Sequence, residues 1–198
     1  MAITVYGDSI SGNCLKVKFV CDRLGIAYSG SETGVLDGST RTPEFLALNP
    51  VGQVPLVVLE DGRPLAQSNA ILLHLGEGSD LIPADAYDRA RMHEWLFWEQ
   101  YNHETSIAVR RFRVRYQGLA DADIDPQLKV RGDAALARMQ LQLTQTAYLV
   151  GDALSLADLS LVAYTRLAHE GGFDLSQFPA VAAWVRRFEA DLGLPSWA

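Results

Sequence analysis

The sequence of 198 residues is poor in cysteine, in long apolar runs and in positive charge. Its two cysteines, Cys14 and Cys21, lack the histidine or cysteine neighbours of a zinc site and are too few for a disulfide framework. No apolar run approaches the roughly 18 to 20 residues of a membrane-spanning helix. The net charge of −7 disfavours nucleic acid, whose phosphates bind clustered Lys and Arg. We therefore expect no metal, no membrane insertion and no nucleic-acid partner.

The first residues also lack the positive start and the apolar core of a secretory signal, since Asp8 and Gly12 interrupt them. We therefore expect a cytoplasmic protein whose thiols stay reduced. The hydrophobic content of 48% and the charged content of 21% are typical of a globular chain. A chain of this length forms one large domain or two small ones.

Residues 1–78 alternate between strand-like and helix-like patterns. Val17, Val20, Cys21 and Leu24 recur at the spacing of one helix face, and Gly25 follows as a stop signal. The predicted elements are strands 3–6, 26–28, 54–59 and 64–66 and helices 16–24, 43–48 and 68–77, with a connection rich in Ser, Gly and Thr over 29–42. This order, β-α-β-α-β-β-α, predicts a small α/β domain.

Residues 86–198 show no strand-like alternation. Helical periodicity covers 86–116, 126–147, 155–169 and 179–192, and polar connections separate these segments. Ser155 and Asp158 form a Ser-x-x-Asp capping box at the start of the third segment, so we assign them a role in folding. The predicted fold class is therefore an N-terminal α/β domain followed by an all-helical C-terminal domain.

Four arginines fall within the six residues from Arg110 to Arg115. In an acidic chain such a run most often forms a solvated or salt-bridged helix face. Contact with an anion or with a second subunit is the next interpretation, and nucleic acid the least favoured one. The run by itself does not indicate a binding site.

Two further positions have special backbone or capping properties. Pro55 stands at the entrance of an apolar strand, where prolines are tolerated; from the residues alone a trans peptide is favoured, because only about 5% of X-Pro bonds are cis in folded proteins. Ser68 opens an apolar helix and is predicted to be its N-cap. The N–H groups at such a helix start favour a carboxylate, although the serine can also serve its own helix alone.

Four stretches, in this order, resemble motifs of the cytosolic glutathione transferases. They are SGNCLKV at 11–17, NPVGQVPLV at 49–57, LAQSNAILLHL at 65–75 and VGDALSLADL at 150–159. The resemblance runs over nearly the whole chain, from Ile3 to about Trp184. It implies a thioredoxin-like N-terminal domain, a homodimer and glutathione as cosubstrate without a metal.

The resemblance also implies which residues hold glutathione. Val54, next to a cis-Pro55, would pair its backbone with the cysteinyl unit. Gln67 and Ser68 would hold the γ-glutamyl carboxylate at the helix start, and Gln53 would reach the glycyl end. All of these residues belong to the predicted α/β domain.

The loop SGNCLKV contains three candidates for chemistry at the glutathione sulfur. Ser11 takes the place of the catalytic serine of theta-like and delta-like enzymes, in which proline occupies the position of Asn13. Ser11, Asn13 and Lys16 are similar instead to the Thr-x-Asn-x-x-Lys pattern of the bacterial nu-like class, in which hydroxyl and amide both contact the sulfur. Cys14 is the least favoured of the three, because it begins a helix and can point inward as a small apolar residue.

The electrophile is expected between this loop and the long helix of the second domain. The candidate substrate-binding residues, chosen by helical spacing, are Trp98, Tyr101, Asn102, Arg110 and Phe112. Aromatic residues at such spacing are also typical of a packed core. The dimer interface would draw on the same long helix and on the segment near Gln67.

Three functions remain open at this point. The first is transfer of the glutathione thiolate to small hydrophobic electrophiles, and it depends on Ser11. The second is glutathione-dependent disulfide reduction, which the nu-like position of Asn13 implies. The third is a non-catalytic, glutathione transferase-like binding protein.

Overall fold

The computed structural model describes residues 2–195, and the chain divides into two units, with the boundary after Ser79. Unit 1 contains four strands, β1 Ile3–Gly7, β2 Tyr28–Glu32, β3 Leu56–Val58 and β4 Pro64–Ala66. Its helices are α1 Gly12–Leu24, α2 Pro43–Leu48 and α3 Ser68–Leu75, with a short 3₁₀ turn at Ser39–Arg41. The predicted order of strands and helices is confirmed.

The sheet of unit 1 is mixed and has the order β2-β1-β3-β4. Strand β1 pairs parallel to β2 and antiparallel to β3, and β3 pairs antiparallel to β4. Helix α1 buries Val17, Val20 and Cys21, as its spacing predicts, and ends at Gly25 with a left-handed φ of 65°. The apolar spacing of the sequence therefore sets which face of α1 is buried.

The predicted second strand at 26–28 is wrong in its position. Strand β2 runs from Tyr28 to Glu32, with register from Ile3 opposite Tyr28 to Gly7 opposite Glu32. Its sequence, YSGSE, has no alternation of apolar and polar residues and is largely exposed. The backbone ladder to β1, rather than side-chain burial, therefore defines this strand.

Unit 2 is helical throughout its described part, residues 80–195. Its α-helices are α4 Ala86–Trp98, α5 Val109–Arg115, α6 Pro126–Leu143, α7 Leu156–Thr165 and α8 Pro179–Asp191. Short 3₁₀ turns lie at Asp121–Asp123, Ala168–Gly171 and Leu175–Gln177. The predicted all-helical domain is confirmed, and the ends of α6, α7 and α8 fall within four residues of the prediction.

The long predicted helix 86–116 changes its winding in the middle. Residues Glu99–Ala108 are π-helical and join α4 to α5. Within this π segment Thr105 and Ser106 donate their hydroxyl protons to the carbonyl groups of Tyr101 and Asn102, each 2.8 Å away. Such bonds to carbonyls one turn back compete with the regular backbone ladder, which is a local reason for the wider turn.

The predicted capping box is present at the start of α7. One oxygen of the Asp158 carboxylate accepts the Ser155 N–H at 3.0 Å and the Ser155 hydroxyl at 2.8 Å. The other oxygen accepts the Leu149 N–H at 2.9 Å and the indole N–H of Trp184 at 2.8 Å. Asp158 is fully buried, so the box also joins α7 to the preceding loop and to α8.

Candidate active site

The loop between β1 and α1 carries Ser11, and local hydrogen bonds fix its course. The Asp8 carboxylate accepts the Ile10 N–H at 2.8 Å, and the Asp8 carbonyl accepts the Ser11 N–H at 3.2 Å. Ser11 is extended, with φ −70° and ψ 126°, and occupies the N-cap position of α1. Its hydroxyl makes no capping bond to that helix.

Cys14 holds the same loop in place through hydrogen bonds to Asp8 and Ser11. Its sulfur accepts the Asp8 N–H at 3.4 Å and forms a hydrogen bond with the Ser11 side chain. The residue is buried, and burial, as the largest effect, raises the pKa of its thiol to about 11 although both hydrogen bonds lower it. A thiol with this pKa is uncharged at neutral pH, so Cys14 suits packing and positioning, as predicted, better than nucleophilic attack.

Asn13 and Ser68 meet although they are 55 residues apart in the chain. The Ser68 hydroxyl donates to the Asn13 carboxamide oxygen at 2.9 Å. Asn13 belongs to the first turn of α1, and Ser68 is the first residue of α3. The two helix starts are therefore joined by a side-chain hydrogen bond, and they are the segments that the resemblance assigns to the sulfur and to the γ-glutamyl carboxylate.

The predicted N-cap role of Ser68 is wrong. Gln67 occupies the N-cap position with φ 72°, and its carbonyl accepts the Ile71 N–H at 2.9 Å. A positive φ is uncommon outside glycine and often marks a functional turn. This left-handed turn leaves Gln67 exposed and makes Ser68 the buried first helical residue, so its hydroxyl bonds Asn13 instead of its own helix.

The loop before β3 is held by Asn49. Its side-chain amide donates to the Gln53 carbonyl at 2.7 Å, and its oxygen accepts the Val51 N–H at 3.3 Å. Gly52 has φ 67°, and a Cβ there would lie 2.9 Å from the Thr40 carbonyl oxygen. The close approach requires glycine at this position.

The peptide bond between Val54 and Pro55 is cis. The resemblance implies this geometry, and it is confirmed. The trans interpretation from the residues alone is wrong, because isolated residues supply only the general preference of X-Pro bonds. Pro55 is buried, Val54 is half-buried and Gln53 is exposed.

The strand register brings the predicted glutathione residues to one end of the sheet. Tyr6 of β1 lies opposite Leu56 of β3, and Leu56 lies opposite Ala66 of β4. Adjacent strands are about 4.8 Å apart. The loop with Ser11 follows β1, Pro55 directly precedes Leu56, and Gln67 directly follows Ala66. The loop with Ser11, the loop with Pro55 and the turn at Gln67 therefore lie next to one another at one end of the sheet.

Unit 2 contains a cavity of about 560 Å³ between the π segment and α6. Trp98, Tyr101 and Asn102, three of the predicted substrate-binding residues, line it. The other lining residues are Thr105, Arg131, Ala134, Ala135 and Arg138. Sequence reasoning missed the two arginines, whose spacing of seven residues on a predicted helix was the available signal.

Arg110 and Phe112 do not line this cavity, so the structure does not support placing them there. Arg110 is buried, donates to the Gly171 carbonyl at 2.6 Å and pairs with Asp121. Phe112 stacks on Tyr116 with ring centroids 4.9 Å apart. Both side chains are therefore used in packing and pairing within unit 2.

The rest of the arginine run is also paired. Arg111 donates to the Glu170 carboxylate at 2.7 Å, Arg115 lies 3.4 Å from the same group, and Arg113 donates to Gln117 at 2.7 Å. The interpretation of the run as a salt-bridged helix face is confirmed. Residues three and four apart share one side of a helix, so Arg111 and Arg115 both reach Glu170.

Lys16, the last residue of the nu-like pattern, is fully buried in α1. Between residues 2 and 195 no group of three or more His, Cys, Asp or Glu side chains is placed to hold a metal ion. Over the same residues, no helix has both the length and the apolar character needed to cross a membrane.

Comparison with known proteins identifies the family. The family description "Glutathione S-transferase, N-terminal domain" matches residues 10–77, and "Glutathione S-transferase, C-terminal domain" matches residues 121–191. Glutathione S-transferase theta-2 of Mus musculus is 30% identical over 98% of this chain and 83% of its own length. The chain belongs to the glutathione S-transferase family.

Two solved bacterial structures agree with this assignment. A glutathione S-transferase from Pseudomonas fluorescens Pf-5 is 45% identical, with a TM-score of 0.93 and 96% of each chain covered. One from Xanthobacter autotrophicus Py2 is 44% identical, with a TM-score of 0.91 over 98% of this chain and 95% of that one. The resemblance read from the four motifs is confirmed, as are the thioredoxin-like plus helical fold and the enzyme class.

Proposed function

We propose that this glutathione transferase joins the thiolate of glutathione to small hydrophobic electrophiles, with Ser11 and Asn13 as donors to the sulfur. The observation that supports this most directly is the strand register. It brings the Ser11 loop, the cis-Pro55 loop and the Gln67 turn to the same end of one sheet. One extended tripeptide is the ligand that these three stretches suit.

The chemical problem is ionisation of the glutathione thiol. A thiol of ordinary pKa, about 8.5, is only a few per cent thiolate at neutral pH. A hydroxyl or amide donor next to the sulfur stabilises the anion, and each pKa unit corresponds to about 1.4 kcal/mol. The Ser11 hydroxyl stands at the start of α1 without a capping bond, where the helix dipole also favours negative charge.

The remaining contacts orient the cosubstrate. The backbone of Val54 would pair with the cysteinyl unit, and Gln53 would reach the glycyl end. Gln67 and the buried Ser68 stand at the start of α3, where N–H groups attract the γ-glutamyl carboxylate. No step of this scheme uses a metal.

The electrophile side of the proposal rests on the unit 2 cavity. Trp98 and Tyr101 offer aromatic faces, and Asn102 offers an amide. Arg131 and Arg138 add positive charge to the same lining. These groups favour an electron-poor aromatic acceptor that carries a nitro or carboxylate substituent. In the reaction the sulfur–carbon bond forms, the leaving group departs with its electron pair, and the thiol proton goes to solvent.

The test is conjugation of glutathione to a chlorodinitrobenzene. Ser11→Ala should lower kcat/KM by about 10- to 100-fold, because a hydrogen bond to a charged group contributes about 1.5 to 3 kcal/mol. Ser11→Thr keeps the hydroxyl and should retain most of the rate. Full activity of Ser11→Ala would reject Ser11 as the donor, and a lack of glutathione binding in calorimetry would favour the non-catalytic interpretation.

Disulfide reduction is the second candidate function, and the bond between Asn13 and Ser68 favours it by fixing the carboxamide at the start of α1. In that reaction the glutathione thiolate attacks a disulfide sulfur and expels a thiolate, and a second glutathione completes the exchange. Rapid reduction of hydroxyethyl disulfide with negligible aryl conjugation would select it. Asn13→Ala would then be the more damaging substitution.

A further inference from the structure

The cavity of unit 2 is positively charged, although the chain as a whole has a net charge of −7. Arg131 and Arg138 both line it, and among the described residues of its lining none is acidic. Both arginines belong to α6. Their spacing of seven residues corresponds to two helical turns, about 10.5 Å along the axis, so both side chains start from the same face. The local charge of this cavity therefore favours an anionic ligand.

Two alanines separate these arginines on the cavity side of α6. Ala134 and Ala135 also line the cavity, and each stands about one turn from either arginine. Their methyl side chains leave space for a flat ring between the two guanidinium groups. Trp98, the last residue of α4, adds an aromatic ring to the same lining. The shape and the charge together suit an aromatic acid.

Arg138 has the better geometry for contact with a carboxylate. Its guanidinium lies over the ring of Trp95, 4.6 Å from the ring centroid, and Trp95 is buried. Stacking of this kind orients the planar guanidinium, which can then bind a carboxylate through two parallel N–H bonds. In the described part of the chain, no carboxylate forms an ion pair with Arg138. A ligand carboxylate can therefore bind it without breaking an internal ion pair.

Arg131 is less well placed than Arg138. Its side chain is 59% exposed and lies 4.0 Å from the carboxylate of Asp125, a pair that contributes little to stability. Asp133, two residues further along α6, pairs with Lys129 at 2.6 Å and does not line the cavity. We therefore expect Arg138 to set the preference for negative charge and Arg131 to add to it.

We propose that this cavity selects acidic aromatic electrophiles and that Arg138 binds their carboxylate. The inference rests on the proposed function, and it narrows the substrate class from electron-poor aromatic acceptors in general to those with a negative charge. In the reaction the glutathione thiolate attacks the ring carbon that bears a halogen, the sulfur–carbon bond forms and the halide departs with its electron pair. The carboxylate takes no part in this step, and its contact with Arg138 positions the ring.

The test compares two acceptors of nearly the same shape, 4-chloro-3-nitrobenzoate and 4-chloro-3-nitrobenzamide. Each kcat/KM is divided by the rate constant of the uncatalysed reaction with glutathione, which removes the difference in intrinsic reactivity. The wild type should favour the acid by about tenfold, the lower end of what a hydrogen bond to a charged group contributes, because Arg138 is half-buried. Arg138→Gln should bring this ratio close to one, chiefly by lowering kcat/KM for the acid.

Three further variants separate the charge of the cavity from other effects. Arg91→Gln removes an equal charge from α4 outside the cavity lining, so it should leave the ratio unchanged. Arg138→Lys keeps the charge but lacks the planar guanidinium, so the ratio should fall only in part. Ala134→Leu narrows the cavity and should lower kcat/KM for both acceptors alike. Conjugation of a neutral chlorodinitrobenzene checks that each variant is folded.

Calorimetry with 3-nitrobenzoate, which has no leaving group, measures the anion contact without turnover. The wild type should bind it about tenfold more tightly than Arg138→Gln, and this difference should shrink at high ionic strength. A wild type without preference for the acid, or a preference that survives Arg138→Gln, would overturn this inference alone if chlorodinitrobenzene is still conjugated. Wild-type protein that conjugates none of the acceptors would overturn the proposed function, and equal binding of 3-nitrobenzoate by the two proteins would then overturn the anion site as well.

Discussion

At the scale of single residues, burial distinguishes Cys14 from Ser11. Cys14 has the more reactive side chain, but Ser11 is better placed to contact a ligand. Cys14 is 8% exposed, and its thiol pKa is raised to about 11, chiefly by burial. Ser11 is less buried, and its hydroxyl does not cap α1. This difference agrees with the proposal that glutathione supplies the reacting sulfur and that the loop supplies hydrogen-bond donors to it.

The cysteine pKa values predict the pH dependence of alkylation. Burial also raises the pKa of Cys21 to about 11. In native protein, iodoacetamide should react slowly at neutral pH and faster as the pH approaches that value, because only the thiolate attacks. Mass spectrometry of Cys14→Ala and Cys21→Ala, each with one thiol left, separates the two sites. Fast labelling of Cys14 in folded protein at neutral pH would contradict the prediction.

The raised pKa of the Cys14 thiol also predicts how the stability of the fold changes with pH. The folded-state pKa of Cys14 lies above that of a solvent-exposed cysteine, so unfolded chains lose the thiol proton first as the pH rises. The contribution of the neutral thiol is complete below pH 9 and is lost as the pH rises towards about 11. Urea unfolding should show this alkaline loss to be smaller in Cys14→Ala.

At the scale of secondary structure, the Asp158 carboxylate at the start of α7 accepts four hydrogen bonds, more than an N-terminal cap usually has. Asp158→Ala would leave the Leu149 N–H, the Ser155 N–H and the Trp184 indole N–H without their acceptor. We expect the free energy of unfolding to fall by about 3 kcal/mol or more, since each unsatisfied buried donor costs about 1 to 3 kcal/mol. Chemical denaturation measures the loss.

The exposed cap of α6 is the matched control for that substitution. Asp125 accepts the Gln127 N–H at 2.9 Å, but it lies at the surface. Asp125→Ala should therefore cost about 1 kcal/mol, the usual contribution of an N-cap. Equal losses in the two variants would show that the buried network around Asp158 adds nothing to the cap.

The loop before β3 gives a prediction about cosubstrate binding. Asn49→Ala removes the bonds to the Gln53 carbonyl and the Val51 N–H, which hold the loop on the approach to Pro55. We expect KM for glutathione to rise severalfold with little change in kcat, because the variant loosens binding without removing a donor to the sulfur. Arg63→Ala on the exposed hairpin turn is a control that should leave both constants unchanged, and a selective fall in kcat for Asn49→Ala would contradict this role.

At the scale of the whole molecule, two neighbouring aromatic side chains in the long helical stretch of unit 2 are exposed. Phe97 is 74% exposed and Tyr101 is 83% exposed, and they lie about one turn apart. Neighbouring exposed apolar groups commonly mark an interface. They suit the predicted homodimer, whose interface would draw on this helix.

Light scattering of the purified chain should therefore give the mass of a dimer. Phe97→Asp should shift the equilibrium towards monomer, because a carboxylate in an apolar interface is costly to desolvate. Tyr87→Asp is the control, since Tyr87 is 71% exposed but stands at the opposite end of α4. A monomeric wild type would reject the dimer prediction.

The sequence by itself determined the features that depend on local periodicity and capping. The spacing of Val17, Val20 and Cys21 predicted the buried face of α1, and Ser155 with Asp158 predicted the start of α7. The order of the four motifs indicated the family, and the family resemblance implied the cis peptide bond at Pro55. These features were predictable because each depends on residues only a few positions apart or on a pattern shared by relatives.

Only the tertiary structure decided which distant groups meet. Strand β2 lies at Tyr28–Glu32 because β1 offers a backbone ladder there, although its side chains carry no strand pattern. Ser68 bonds Asn13 rather than capping α3 because the left-handed turn at Gln67 takes the cap position. Contacts of this kind depend on register and on chain direction over many residues, which local preference does not encode.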